Sequence, residues 1–233
     1  MSTAYLSIDD GPTKNTNQII DYLLGKNITP VMFFWGDRLE EARENAIYAL
    51  RHGAWVGNHT YTHPHFSSIT LEQCIEEIER MEEALNDLYK EAGVERKYKI
   101  FRFPYGDKGG DKKEALQEYL SSHGFYKLDY SLITYDWYYD NKLDKDYDTL
   151  WTFDYEEYRL QYDKSFSYQM ILDHIAALKP ANGGSLHDEG AHNILLIHDH
   201  PQTDARAHGY FYDLIDRTLA AGVTFLKPQF VPM

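Results

Sequence analysis

The sequence is poor in cysteine: Cys74 is the only one in 233 residues. No internal disulfide can form, so the fold must be held by its packed core. The neighbours of Cys74 read as helix, which fits a packed thiol better than a nucleophile. Positive charge is also scarce. Lys and Arg number 23 against 37 Asp and Glu, a formal net charge of -14. That balance argues against a nucleic-acid partner, which would meet a basic face, and against an anionic membrane surface. No apolar run is long enough to cross a bilayer, so membrane insertion is not expected. The N-terminus lacks a basic segment followed by an apolar one. The expectation is therefore a cytoplasmic chain, although a secreted chain trimmed of its leader would read the same way. Internal repeats, low-complexity tracts and linkers are absent too. What is present is apolar content of 43%, typical of globular proteins. The length suits one large domain over residues 1–233.

Strand-like and helix-like segments alternate along the chain. Tyr5, Leu6 and Ile8 read as a short buried strand ended by Gly11-Pro12. Ile19, Ile20, Leu23 and Leu24 keep helical spacing up to Gly25. Pro30 to Trp35 is a continuous apolar run, as a strand buried on both faces should be. Helix is expected over 38–52, then a strand over 54–57. Thr70-Leu71-Glu72-Gln73 has the pattern of a capping box, opening a helix to about Gly93. Strands are expected over 99–103, 125–133, 193–197 and 223–226, and helices over 111–124, 166–179 and 205–221. Repeated β-then-α with buried strands implies parallel strands and helical crossovers, hence an α/β barrel or a doubly wound sheet. Asp9/Asp10, His59, Arg102, Asp136 and His198 each follow a different expected strand. Side chains on many strand ends converge only where those ends share a rim, which favours the barrel.

Two of these stretches suggest chemistry directly. Asp9 and Asp10 are adjacent carboxylates at the mouth of a strand, and such a pair is costly to bury without a cation or hydrogen bonds. His59 and His63 are four residues apart, a spacing that puts both on one side of a helical turn and suits a single metal ion. One Asp and two His make a metal triad, leaving the other Asp for proton transfer.

Five short motifs in order carry a resemblance: Ser7-Ile8-Asp9-Asp10-Gly11-Pro12, His59-Thr60-Tyr61-Thr62-His63, Arg102-Phe103-Pro104-Tyr105-Gly106, Asp136-Trp137 and Leu196-Ile197-His198. With them the chain resembles the polysaccharide deacetylases, the NodB-homology domain of carbohydrate esterase family 4. The resemblance implies a distorted (β/α)7 barrel and a metal-dependent hydrolase that removes acetyl groups from an N-acetylated sugar or polysaccharide. It implies Asp10, His59 and His63 as metal ligands, for Zn²⁺ or another divalent ion such as Co²⁺, Ni²⁺ or Mn²⁺. A bound ion of this kind would lower the pKa of its water from roughly 15.7 to about 7. Asp9 would be the general base, held ionised by Arg102, and His198 the general acid. The backbone N–H of Tyr105 would stabilise the oxyanion, and Trp137 and Leu196 would wall the acetyl pocket. Asp136 would orient His198. The family usually has another Asp three residues before its Asp-Trp pair, and here that position is Ile133. Since Asp9 and Asp10 would point to opposite faces of a regular strand, sharing a site requires a bend, for which Gly11-Pro12 is suited.

Other readings compete. The same scaffold would serve an amidohydrolase acting on a non-sugar amide, and an altered fourth motif would suit a catalytically impaired carbohydrate-binding protein. Two His and one carboxylate also hold Fe(II) in oxygenases, but Asp9, Arg102 and His198 have no part in that chemistry. His65 and His200 match no motif and read as structural; His187 and His192 flank the glycine-containing loop Gly183 to Gly190, from which they could reach the site. The aromatic-rich stretch 126–168 offers faces for sugar stacking, with most of its rings expected to pack.

Overall fold

The computed structural model describes residues 1–231. β1 (Thr3–Gly11) buries nearly every residue. α1 (Thr16–Gly25) follows, with Ile19, Ile20 and Leu23 turned inward, and β2 (Pro30–Phe34) is buried throughout. The helix expected over 38–52 is two helices, α2 (Gly36–Glu41) and α3 (Arg43–Arg51). They break at Ala42, whose φ of -136° and ψ of 40° lie outside the helical region. β3 (Trp55–Asn58) leads into the histidine loop.

α4 (Leu71–Ala92) opens on a capping box. Gln73 N–H donates to Thr70 Oγ1 at 3.2 Å, and Thr70 N–H donates to Gln73 Oε1 at 2.9 Å. Gly93, at φ 69°, closes the helix in the left-handed conformation that glycine adopts without strain. α5 (Lys113–Ser122), β4 (Lys127–Leu128), α6 (Asp136–Asp140), β5 (Phe153–Asp154) and α7 (Tyr168–Ala176) come next. β6 (His192–His198), α8 (Pro201–Asp204), α9 (Tyr210–Ala220), β7 (Thr224–Phe225) and β8 (Phe230–Val231) complete the described residues. The helix expected from 205 starts only at Tyr210, after Gly209 at φ 75°. Among the described residues, no helix is long and apolar enough to cross a membrane.

The main sheet has the order β3-β2-β1-β6-β5, every pair parallel, with β7 beside the start of β1. Parallel bridges Asn58↔Phe101 and Lys99↔Phe125 carry it onward past β3. The strands expected over 99–103 and 125–133 are thus reduced to single bridges and the two-residue β4. The first of them runs into Pro104, which has no N–H to extend a ladder. β4 and β8 form a separate antiparallel pair. The result is a distorted (β/α)7 barrel in which β1, β2, β3, β5 and β6 run parallel and deliver their C-terminal ends to one rim. Close approach near that rim depends on Gly57. A Cβ there would lie 2.5 Å from Ile100 Cγ1 and 2.8 Å from Ile100 O.

Candidate active site

The two carboxylates share a site because β1 is bulged. Asp9 pairs with Phe33 and Gly11 with Phe34, so Asp10 is the extra residue, at φ 65°. A bulge re-aims a side chain that would otherwise alternate to the far face. The required bend therefore lies at Asp10 itself, ahead of Gly11-Pro12. Asp9 is 3% exposed. Its Oδ1 accepts from Arg102 Nη1 at 2.7 Å, and its Oδ2 lies 3.6 Å from His59 Nε2. Arg102 is fully buried, donates from Nε to Thr149 O at 2.7 Å, and lies between the rings of Phe33 and Trp151. It is a donor fixed in place by these contacts.

His59 and His63 do not sit on a helical turn. They converge through a tight loop in which Thr60 and His63 adopt φ of 69° and 59°. His63 Nε2 lies 3.1 Å from Asp10 Oδ1, and His59 Nε2 lies 3.6 Å from the same atom. His59 Nδ1 is 2.8 Å from Arg102 O. A carbonyl only accepts, so Nδ1 carries the proton and the Nε2 lone pair faces the carboxylates.

The residues fit a divalent ion. The ligand atoms of Asp10, His59 and His63 all lie within 4.8 Å of one another. Asp10 Oδ1 and His63 Nε2 are buried with no hydrogen-bond partner, an arrangement costing roughly 1–3 kcal/mol per group without compensation. Burial pushes His59 down to about 4, keeping it neutral. Burial would raise Asp10, but the hydrogen bond from His200 and the nearness of His63 outweigh it and hold the carboxyl well below its usual value. Neutral imidazoles and an ionised carboxylate are the forms that bind metal. Two nitrogens and one oxygen suit Zn²⁺ among the divalent transition ions.

His198 ends β6, in register beside Asp9. Its Nδ1–H donates to Glu157 Oε1 at 2.9 Å, and its backbone N–H donates to the same oxygen at 2.7 Å. Nε2 is left for the cavity. Burial pushes this imidazole down, but the fully buried Glu157, helped by Asp10 and Asp9, outweighs it and raises the value to about 10. Asp9, Asp10, His59, His63 and His198 line a cavity of about 380 Å³ with Tyr105, Leu196, Trp151, Asp154, Tyr158, Gln161, Tyr162 and His200. Tyr105 sits at φ 59° beside His63, its ring stacked on His65. His187, by contrast, bonds Ile175 O, and His192 bonds Thr3 Oγ1.

Two sequence expectations need correction. Asp136 is exposed in the first turn of α6, and Trp137 stacks beside Tyr135; neither lines this cavity. The partner of His198 is Glu157, and the indole on the wall is Trp151. Asp154-Tyr155-Glu156-Glu157-Tyr158, at the end of β5, has the expected spacing: a carboxylate, two residues, a carboxylate and an aromatic. Glu stands in place of Asp and Tyr in place of Trp, while Asp136-Trp137 offers the literal dipeptide on the wrong element. The three-residue carboxylate spacing was the signal that could have found it. Burial, reinforced by the charges of Glu157 and Glu156, pushes Asp154 up to about 7 against the pull of His198. Tyr158 sets its ring edge against His198.

A family model described as polysaccharide deacetylase matches residues 1–126, and the chain belongs to that family, carbohydrate esterase family 4. It is 34% identical over 113 residues to a bifunctional xylanase/xylan deacetylase of Cellvibrio japonicus, covering 48% of this chain and 16% of that protein. It is 30% identical over 133 residues to a peptidoglycan-N-acetylglucosamine deacetylase of Bacillus cereus, covering 57% of this chain and 45% of the relative. The chain thus spans less than half the length of either curated relative. A solved peptidoglycan N-acetylglucosamine deacetylase shares the fold, with a TM-score of 0.65 at 18% identity, covering 96% of this chain and 85% of that one.

Proposed function

We propose that this chain is a divalent-metal-dependent deacetylase acting on an N-acetylated sugar or polysaccharide. One observation carries the reading. Orphaned metal-ligand atoms, an Arg102-held carboxylate and a Glu157-held imidazole face one aromatic-walled cavity. A divalent ion held by Asp10, His59 and His63 would supply Lewis-acid polarisation of the acetyl carbonyl and of water.

The chain's own residues do the rest. Asp9 keeps Oδ1 on Arg102 and presents Oδ2 to the centre, where it takes the proton from the attacking water. His198, protonated at neutral pH, gives its Nε2 proton to the departing amine nitrogen, and Glu157 stabilises the imidazolium beforehand. The amide C–N bond breaks, and acetate and the free amine result. Each proton transfer is worth roughly 10²- to 10⁴-fold. The backbone N–H of Tyr105 is the candidate donor to the carbonyl oxygen as it gains charge. Leu196 lines the floor for the acetyl group, and the exposed rings of Tyr105 and Tyr162 at the mouth offer faces to a sugar.

Metal-stripped protein should release no acetate from a panel of N-acetylated sugars and oligomers, and Zn²⁺ added back should restore release. Metal-independent release, or metal uptake with no release from any substrate, would overturn the reading.

A further inference from the structure

His200 matches no motif, yet it lies against Asp10. Its Nε2 is 2.6 Å from Asp10 Oδ2. An ionised carboxylate can only accept, so Nε2 must carry a proton. A neutral ring then leaves Nδ1 as an acceptor, and a donor is in place. Gln161 Nε2 lies 2.9 Å from Nδ1 and 2.9 Å from Thr203 Oγ1. The chain Thr203–Gln161–His200–Asp10 therefore sets one tautomer of His200 and spends its proton on one oxygen of the carboxylate.

The other oxygen is Oδ1, the orphaned atom turned toward His59 and His63. Among the described residues, His200 supplies the hydrogen bond given to Asp10 Oδ2. Without it the carboxylate could rotate about its Cβ–Cγ bond and offer either oxygen to a cation. The imidazole of His200 is itself held. It stacks on His198 with ring centres 4.8 Å apart and planes 23° apart. Its backbone N–H donates to Tyr210 Oη at 3.2 Å, and that hydroxyl donates onward to His198 O.

We propose that His200 is a positioning residue that locks Asp10 into single-oxygen ligation, with Gln161 fixing the tautomer that makes the lock. It rests on the metal-dependent reading above, and it ties the acid side of the site to the metal side through one stacked ring pair. Hydrogen-bond partners of metal ligands fix ligand orientation, and their loss typically costs about 10- to 100-fold in metal affinity.

The test is metal affinity and the visible spectrum of the Co²⁺ form, on wild type, His200→Phe, His200→Gln and Gln161→Leu. His200→Phe keeps a ring against His198 and loses the donor. It should bind Zn²⁺ roughly 10- to 100-fold more weakly and shift the Co²⁺ bands. His200→Gln places an amide N–H near the position of Nε2 and should recover most of both. Gln161→Leu should weaken binding in the same direction with Asp10 and His200 intact, which keeps the test usable if His200→Phe folds poorly. Wild-type affinity and spectrum in both His200→Phe and Gln161→Leu would overturn the role of His200 alone. Wild-type protein that takes up neither Zn²⁺ nor Co²⁺ would overturn the metal-dependent reading, and this proposal with it.

Discussion

Asp9 and Asp10 are neighbours with the same side chain, and their partners divide the work. Arg102 takes one oxygen of Asp9, while His200 and His63 flank Asp10. Asp9→Asn should therefore keep metal affinity near wild type and lose roughly 10²- to 10⁴-fold in acetate release. Turnover close to wild type would remove Asp9 as the base. His198 gives a pH prediction. Its value is raised to about 10 because Glu157 outweighs burial. In Glu157→Gln burial is left unopposed by that charge, so the alkaline limb of kcat/KM should move to lower pH. An unmoved limb would show that another group sets it. The sign for stability agrees. A histidine raised in the folded state contributes fully below its unfolded value of about 6.5, and the contribution fades as pH rises through about 10. Urea unfolding of wild type and Glu157→Gln should therefore differ most at pH 6 and least near pH 10. At this scale the residues that the motifs mark with their usual side chains, Asp9, Asp10, His59, His63, Arg102 and His198, are ones the fold brings together. The sequence misled at Asp136, where the literal Asp-Trp pair lies on α6. His200 read as structural because no motif marks it, and only the fold brings it to Asp10, 190 residues away.

Among the elements, the clearest sequence signals became the best-formed structure. The Thr70 to Gln73 box caps α4, which runs unbroken for 22 residues. Thr70→Ala should lower unfolding stability by about 1 kcal/mol, with a range of about 0.5–2, read as a lower urea midpoint with unchanged slope. No change would mean that packing of the long helix makes its cap redundant. The continuous apolar run of β2 was equally plain, because burial on both faces leaves no alternation to misread. β5 was invisible for the opposite reason. It pairs over only Phe153 and Asp154, too short for any period to show, yet it delivers Asp154 and, in the turn beyond, Glu157. The break between α2 and α3 at Ala42 is likewise a backbone feature with no Gly or Pro to mark it.

Over the whole molecule, alternation of strands and helices was enough to imply parallel strands, and polar residues after several of them implied one shared rim. Past β3 the sheet is thinner than the strands expected over 99–103 and 125–133, since it continues only through the single bridges Asn58↔Phe101 and Lys99↔Phe125. The rim gathers groups from β1, the loop after β3, the Phe101 segment, β5 and β6 around one cavity. We propose that this cavity becomes a deacetylase when one divalent ion is held by Asp10, His59 and His63. A Zn²⁺ titration of stripped protein, with bound metal and acetate release followed together, tests this. Both should rise in step and level off at about one ion per chain, and His63→Ala should abolish both. Acetate release that is already complete before metal is added, or that survives in His63→Ala, would contradict it.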